Sequence, residues 1–309
     1  MPTILKLLTL LFFLIQSSCY VGYSSGDEYT QANWFNSENT LTLWALADIQ
    51  PTNRGHEEAF EIAITDMNDN VSNIDMALVA GDIVNETTEE SFDWYVRTRN
   101  NSYIKEWYEI IGNHDLKTDM GKLFREKLRE EVNYSIVKGN ILFIFMSDSE
   151  RGKATEISDE TFEWWKDIVI NNQDKIIVVT THAPLEDSGI PFSSFTDRQV
   201  INSQRFTEVL KDYQVDIWLS GHLHIPHGVM NNIVEKEKYD GTIFVHISSI
   251  RPELMGLKES ESRVITFACG SDKVLIQVRN HKEGVFVPNQ NRVFQLSKKY
   301  ICNSEPSNN

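Results

Sequence analysis

The chain has few cysteines, and their scarcity limits the metal chemistry that it can support. Only 3 of the 309 residues are cysteine, and all of them lie outside the polar motifs described below. A site without thiolate does not suit copper(I) or an iron–sulfur cluster and instead suits harder divalent ions.

Basic residues are also scarce. The sequence has 29 Lys and Arg against 45 Asp and Glu, which gives a formal charge of −16 at pH 7. No basic stripe interleaved with aromatic side chains relieves this charge, so we expect no long nucleic acid as a partner. A small phosphorylated compound remains acceptable, because two bound divalent ions would leave a local excess of positive charge.

A long hydrophobic run is absent from the amino-terminal region. The apolar stretch Leu7–Ile15 is too short for a comfortable transmembrane helix. It follows Lys6 and precedes Gln-Ser-Ser-Cys at residues 16–19, an order typical of an export signal. The pattern resembles a bacterial lipoprotein signal, and an ordinary secretory signal cut near Ser18 is the alternative. Either one predicts an extracytoplasmic protein, lipid-anchored through Cys19 in the cell envelope or secreted.

The middle of the chain contains neither a linker nor an internal repeat. A chain of this length with 41% hydrophobic residues can bury one large core. We predict a signal peptide over residues 1–18, a polar tether over 19–40, one folded domain over 41–280 and a polar tail over 281–309. Cys269 and Cys302 could form a disulfide in an oxidising compartment or stay free, and both alternatives are open.

Five apolar runs end in side chains of the kind that bind metal ions. The endings are Asp48-Ile-Gln50, Gly-Asp82, Gly-Asn113-His114-Asp115, His182 and Gly-His222-Leu-His224. Buried strands that end in this way converge where open α/β sheets place their chemistry. Carboxylate, amide and imidazole ligands suit hard or borderline divalent metals. The pattern therefore predicts a metal-dependent hydrolase.

The intervening segments predict an α/β fold. Glu57–Asn68 carries apolar residues at helical spacing, and the short apolar run Met76–Ala80 follows it. Ser158 is a candidate N-cap for a helix over Asp159–Ile170. The stretch from Ala183 to Gln204 has little periodicity, and we expect it to rim the substrate pocket.

Asp82 is the candidate for the carboxylate that two metal ions share. A dinuclear hydrolase holds its ions roughly 3.5–4 Å apart and needs a bridging ligand. Gly81 permits the tight turn that such a residue requires. Asp48 and Gln50 are two residues apart, so both side chains can reach one ion from an extended chain.

His114 is the candidate proton donor. Its neighbour Asn113 is a candidate ligand, and Asp115 could hold the imidazole in one tautomer. The remaining candidate ligands are His182, His222 and His224.

Together these residues resemble the calcineurin-like metallophosphoesterases, whose pattern is Asp-x-His, Gly-Asp, Gly-Asn-His-Asp/Glu, His and Gly-His-x-His. The resemblance covers residues 41 to about 269. It implies a four-layer α/β/β/α sandwich with two mixed sheets, in which hydroxide bridging two metal ions attacks a phosphoester. It assigns catalysis to His114 and metal binding to Asp48, Asp82, Asn113, His182, His222 and His224.

Gln50 stands where the family usually has histidine. Asp-x-Gln is similar to the branch that contains manganese-dependent ADP-ribose/CDP-alcohol diphosphatases. An amide oxygen in place of an imidazole nitrogen favours Mn²⁺ or Mg²⁺, with Fe²⁺ or Zn²⁺ as alternatives. The purple acid phosphatase branch is disfavoured, because the residues after Asp82 include no tyrosine to bind iron.

We therefore predict hydrolysis of a phosphodiester or a nucleotide-diphosphate-type substrate. One alternative is a phosphomonoesterase or protein phosphatase that uses the same residues. Another is a non-catalytic surface binding protein, which would not require the proton donor His114.

Other polar residues are candidates for substrate binding or for the surface. A surface position is the favoured interpretation of His227, and His56 and His281 are expected to be solvated, whereas His246 could face the site. The candidates for binding a second phosphate are Arg54, Arg198, Arg205 and Arg251.

Overall fold

The computed structural model describes residues 39–149, 153–228, 230–252 and 260–302. The predicted signal peptide, Cys19 and nearly all of the predicted tether lie outside these residues. Within the described ranges, none of the helices combines the length and the apolar character needed to cross a membrane.

The described residues form two mixed β-sheets. The strands are β1 (Thr40–Leu46), β2 (Met76–Val79), β3 (Glu106–Glu109), β4 (Tyr134–Lys138), β5 (Ile141–Phe145), β6 (Ile176–Thr181), β7 (Ile217–Ser220), β8 (Ile233–Lys236), β9 (Thr242–His246), β10 (Glu261–Ala268), β11 (Lys273–Asn280), β12 (Val285–Phe286) and β13 (Arg292–Gln295). The first sheet has the order β12-β11-β10-β1-β2-β3, with β13 also paired to β11. The second sheet has the order β4-β5-β6-β7-β9-β8.

Helices cover the outer faces of the two sheets. They are α1 (Arg54–Asn70), α2 (Glu89–Arg99), α3 (Lys122–Lys127), α4 (Asp159–Asn171) and α5 (Gln204–Val209). Helix α4 begins as predicted, because the Ser158 side chain accepts the Thr161 N–H at 3.1 Å.

Alternation of side chains along the strands divides the interior into separate cores. On β1, Leu43 and Ala45 pack against the second sheet, where they join Phe143 in a core between the sheets. Trp44 and Leu46 point the other way and pack with residues of α1 and α2. A third core lies between the second sheet and helices α4 and α5. The predicted α/β/β/α arrangement with two mixed sheets is confirmed.

The central strands of both sheets deliver their carboxyl ends to one crevice. Strands β1, β2 and β3 are parallel, as are β5, β6, β7 and β9. Within each sheet the following loops are hydrogen-bonded: Asp48 N–H donates to Gly81 O at 3.1 Å, and Gly221 N–H donates to His182 O at 2.8 Å. Between the sheets, His222 N–H donates to Asp48 Oδ2 at 2.9 Å. Chain ends from several strands therefore meet where the ligands were expected.

The carboxyl-terminal region corrects the predicted domain boundary at residue 280. Strands β12 and β13 extend the first sheet beyond it, and Cys269 and Cys302 form a disulfide. The side chains of β13 are largely half-buried. A strand of this kind does not need a continuous apolar run, and the sequence of β13 does not contain one. The fold continues through Cys302, and the predicted polar tail over 281–309 is in large part structured.

His56 and His281 are buried, not solvated as expected. The Nδ1 atom of His281 lies 2.8 Å from Asp66 Oδ2, and its Nε2 lies 2.7 Å from Ser262 Oγ. Arg279 also pairs with Asp66. These partners satisfy the polar groups of His281, which permits its burial between α1 and the first sheet.

Candidate metal centre

Four of the predicted ligand residues have left-handed backbone conformations. The angle φ is 55° at Asp48 and at Asp82, 69° at His222 and 51° at His224. These conformations are uncommon for residues other than glycine, and they cluster at functional sites because the surrounding structure must maintain them. The sharp turns place each side chain within a few residues of a strand end and close to the others.

Two glycines are required by the close approach of these turns. Gly81 has a φ of 82°, and a Cβ atom there would lie 2.8 Å from His182 Nδ1. A Cβ atom on Gly112 would overlap the backbone nitrogen of Asp82 and lie 2.5 Å from its Oδ1. The loops can meet at Asp82 only because neither glycine carries a side chain.

Asp82, His182 and His222 form the first candidate ligand group, whose ligand atoms all lie within 4.8 Å of one another. The His182 Nε2 atom lies 3.4 Å from Asp82 Oδ2 and 3.1 Å from His222 Nδ1. Asn113 Oδ1 lies 3.1 Å from the same Nε2. The opposite nitrogen of His182 donates to the carbonyl of Ala80 at 2.8 Å. That bond leaves the Nε2 lone pair available for a metal ion.

Asp48, Asp82 and His224 form the second candidate ligand group. The His224 Nε2 atom lies 3.1 Å from Asp48 Oδ1. The Gln50 amide nitrogen lies 3.0 Å from Asp82 Oδ2 and 2.9 Å from His224 Nε2. The buried Gln50 Oε1 has no hydrogen-bond partner among the described residues. A half-turn of the amide would direct Oε1 between Asp82 and His224, the orientation that a bound cation requires.

Asp82 is common to both groups and is 1% exposed. Burial opposes its ionisation, but the neighbouring His182 and His114 lower the pKa of Asp82 on balance. Burial likewise lowers the pKa of His182, but the charge of Asp82 outweighs burial and raises it. The crevice therefore favours a positive charge at this point, and the carboxylate, imidazole and amide donors around it fit a hard or borderline divalent ion.

The loop from Ala183 to Gln204 borders the centre, as predicted. The His222 Nε2 atom lies 3.3 Å from the carbonyl oxygen of Asp197 in this loop. A bond from Nε2–H to that carbonyl orients the ring so that Nδ1 faces the first ligand group.

His114 lies beside Asp82 but outside both ligand groups. Its backbone N–H donates to Asp82 Oδ1 at 2.8 Å, and its ring Nε2 lies 4.0 Å from Asp82 Oδ2. The ring Nδ1 lies 3.1 Å from Asn85 Oδ1, which fixes the tautomer with hydrogen on Nδ1 when the ring is neutral. Burial lowers the pKa of His114. Asn85 was not singled out from the sequence.

The predicted contact between Asp115 and the His114 ring is wrong, since Asn85 makes it instead. Asp115 is fully buried. Its carboxylate accepts backbone N–H groups at 2.9 to 3.0 Å, from Ile83, Val84 and Gly112. Asp115 therefore joins the loop after Asp82 to the loop before Asn113, and it acts on the geometry of the centre through the backbone.

His227 and His246 lie under the Gly-His-x-His turn. The Nε2 atom of His246 accepts the Ile225 N–H at 3.1 Å, and the Nε2 atom of His227 accepts the Ser248 N–H at 3.1 Å. Both rings are buried, so the surface position expected for His227 is wrong. These bonds hold the turn against the segment that follows β9.

Asp148 is a buried carboxyl group near the centre that sequence reasoning missed. Burial raises the pKa of Asp148 to about 7, and its Oδ2 has no hydrogen-bond partner among the described residues. A signal for it was present, because Ser147-Asp148 ends the apolar run Ile141–Met146. This is the same strand-end pattern that identified the other residues.

Comparisons with known proteins agree with this geometry. Residues 41–226 match the model of the calcineurin-like phosphoesterase family. No curated protein matches the chain in sequence. The fold is similar to that of the purple acid phosphatase PPD1 from yellow lupin (Lupinus luteus) seeds, with a TM-score of 0.60 and 15% identity over 88% of this chain. The chain spans 58% of that lupin structure.

A second similar structure is GAP50, the anchor in the inner membrane complex of Plasmodium. It has a TM-score of 0.60 and 14% identity, over 85% of this chain and 90% of GAP50. At such identities the two structures show a shared fold only. The family match covers more than half of the sequence and contains every candidate ligand, and so this chain belongs to the calcineurin-like phosphoesterases, a metal-dependent family.

Proposed function

We propose that this protein is a dinuclear metal-dependent phosphoric ester hydrolase. The observation that carries the proposal is the Asp82 carboxylate, which belongs to both candidate ligand groups. A carboxylate common to two ligand groups is what a pair of closely spaced ions requires. One ion would be held by Asp82, Asn113, His182 and His222, and the other by Asp48, Gln50, Asp82 and His224.

The chemistry follows from the groups that surround this centre. Two bound divalent ions would supply positive charge for the phosphoryl oxygens and lower the pKa of a coordinated water. The oxygen of water forms a bond to phosphorus, and the bond from phosphorus to the leaving oxygen breaks. His114 donates a proton to that leaving oxygen, while Asn85 holds the opposite side of the ring at 3.1 Å.

The proposed substrate is a phosphodiester or a nucleotide-diphosphate-type compound. Gln50 supports this choice through the similarity of Asp-x-Gln to the diphosphatase branch of the family. Its amide oxygen also supports a preference for Mn²⁺ or Mg²⁺. The formal charge of −16 supports a small substrate over a long nucleic acid.

Two rival functions use the same fold. A phosphomonoesterase or protein phosphatase would need the same ligands and the same proton donor. A binding protein would not need the proton donor. GAP50, which has a similar fold, is described as an anchor, so a binding protein stays a second rival. The presence of His114 beside both ligand groups favours an enzyme over a binding protein.

A turnover screen of purified protein separates these functions. Nitrophenyl phosphate, bis(nitrophenyl) phosphate and a nucleoside diphosphate are each assayed with Mn²⁺, Mg²⁺, Zn²⁺ and Fe²⁺, with Asp82→Asn as the inactive control. We expect a higher kcat/KM for the diester or the diphosphate than for the monoester. The reverse order would support the phosphomonoesterase. An absence of turnover by protein with two bound ions would support the binding protein.

We also propose an extracytoplasmic location, either lipid-anchored through Cys19 or secreted. The disulfide between Cys269 and Cys302 supports it, since disulfides persist in oxidising compartments. Mass spectrometry of protein from native membranes should find a lipidated Cys19 as the first residue if the anchor is present. An intact Met1 in a cytoplasmic fraction would contradict the proposal.

A further inference from the structure

Arg251 lies in the segment that follows β9 and contacts the backbone of the chain that carries Asp48 and Gln50. Its backbone N–H donates to the carbonyl oxygen of Asp48 at 3.3 Å. Its guanidinium Nη1 donates to the carbonyl oxygen of Gln50 at 3.3 Å. Ser249 Oγ also donates to the Asp48 carbonyl, at 2.9 Å. The segment is therefore fixed alongside the chain that carries Asp48 and Gln50.

The other three candidate arginines either pair with carboxylates or are exposed. Arg54 pairs with three glutamates on the exposed face of α1. Arg205 pairs with Asp159. Arg198 follows Asp197 on the loop that borders the centre, but it is exposed, and no described side-chain hydrogen bond or ion pair fixes its guanidinium. Of these four arginines, Arg251 is the one whose described contacts reach a residue of the ligand groups.

The guanidinium of Arg251 has hydrogen-bonding capacity to spare. In the described part of the chain its side chain contacts a neutral carbonyl, and no carboxylate pairs with it. A guanidinium has several N–H donors in a planar fork that matches two oxygens of a phosphate. Arg251 is half-buried and bonded to the Gln50 carbonyl, and a planar guanidinium fork loses less side-chain entropy for each hydrogen bond that it forms.

We propose that Arg251 binds a second phosphate group of the substrate, next to the phosphorus that is attacked. This inference rests on the proposed function, because it assumes that the attacked phosphate lies at the metal centre. A phosphoanhydride then contacts both the centre and Arg251, whereas a simple monoester contacts the centre alone. In hydrolysis the water oxygen bonds to the attacked phosphorus, the bond from that phosphorus to the bridging oxygen breaks, and the bridging oxygen leaves with the released phosphate and takes a proton from His114.

The test compares two substrates across Arg251 variants of the Mn²⁺-loaded protein. The kcat/KM for a nucleoside diphosphate is divided by that for nitrophenyl phosphate. We expect Arg251→Gln to lower this ratio by about 10- to 100-fold, the range for a lost charge-assisted bidentate contact. Arg251→Lys keeps the charge without the fork and should give an intermediate ratio. Arg97→Gln is the charge-matched control on the exposed face of α2.

Binding provides a readout that does not depend on turnover. Calorimetry with methylenediphosphonate and with inorganic phosphate should show that Arg251→Gln weakens the diphosphonate more than the phosphate. An equal loss for both ligands and both substrates would overturn the proposal. If the wild type cleaves neither substrate, the proposed function fails, and the calorimetric comparison still decides the role of Arg251. If Arg251→Gln does not fold, the ratio for Arg251→Lys decides it.

Discussion

Replacement of His114 by alanine separates proton donation from metal binding. The ring lies outside both candidate ligand groups, and its Nε2 is 4.0 Å from Asp82 Oδ2. The contact from His114 to Asp82 Oδ1 is made by the backbone N–H at 2.8 Å, which alanine retains. We therefore expect His114→Ala to keep its metal content and its fold.

The expected kinetic loss follows from the proposed role of the His114 ring as an acid. A positioned acid contributes about 10²- to 10⁴-fold to turnover, which corresponds to about 3 to 5 kcal/mol of transition-state stabilisation. Asn85→Ala is the graded comparison, because it removes one hydrogen bond to the ring. A bond of this kind contributes about 0.5 to 1.5 kcal/mol, so its loss should reduce turnover by about 2- to 12-fold.

The assay measures kcat and kcat/KM on two esters that differ in their leaving groups. An alkyl leaving group needs a proton, whereas a nitrophenolate needs little, so the loss in His114→Ala should shrink on the nitrophenyl ester. The acid must be protonated, and burial lowers the pKa of His114 below its ordinary value of 6.5. The alkaline limb of kcat/KM for the alkyl ester should therefore lie below that value and disappear in the variant. An equal loss on good and poor leaving groups would refute the acid role and indicate transition-state electrostatics instead.

Substitutions at three other positions test the centre and the fold. Gln50→His should keep activity while its metal preference shifts from Mn²⁺ toward Zn²⁺ or Fe²⁺, and Gln50→Ala should weaken the binding of one ion. Superimposable metal titrations of activity for the wild type and both variants would show that Gln50 does not touch metal. Gly112→Ala should destabilise the protein by about 1 to 3 kcal/mol through overpacking against Asp82, measured by urea unfolding. An unchanged unfolding midpoint would exclude the close approach of residue 112 to Asp82. Asp66→Ala should cost about 3 to 5 kcal/mol, because it leaves the buried Arg279 unpaired. Burial opposes ionisation of Asp66, but His281 and Arg279 lower its pKa on balance. The stability that the carboxylate adds is therefore present above about pH 4 and is lost below it. The difference in free energy of unfolding between wild type and Asp66→Ala should shrink in acid, and a constant difference would contradict this linkage.

The position of most candidate ligands could be predicted because they come a few residues after a buried strand. Parallel strands bring their carboxyl ends to one edge, so Asp48, Asp82 and His182 had to lie close together once the sheets formed. Asp148 also comes shortly after a buried strand, β5, but no motif marks it in the sequence.

Side-chain partners in the loops could not be predicted in the same way. Asp115 is adjacent to His114 in sequence, but the short turn directs the Asp115 carboxylate toward three backbone N–H groups in the interior. The partner of the ring is Asn85, 29 residues away. No periodic pattern in a loop reports the direction of a side chain, so these two contacts required the structure.

The burial of His281 illustrates a related limit. It follows two polar residues at the end of β11, and that local composition indicated exposure. Its partner Asp66 is 215 residues away in the chain, on a different element. Local composition cannot show that a distant carboxylate satisfies a polar ring, and burial of such a ring depends on that partner.

The most direct test of a shared Asp82 is the metal content of wild type and Asp82→Asn after reconstitution with Mn²⁺ and removal of excess ion. We predict two equivalents of Mn²⁺ per wild-type chain and the loss of most of both from Asp82→Asn, with the circular dichroism spectrum unchanged. Two tightly bound equivalents in Asp82→Asn, or fewer than two in the wild type, would contradict a centre in which one carboxylate holds both ions.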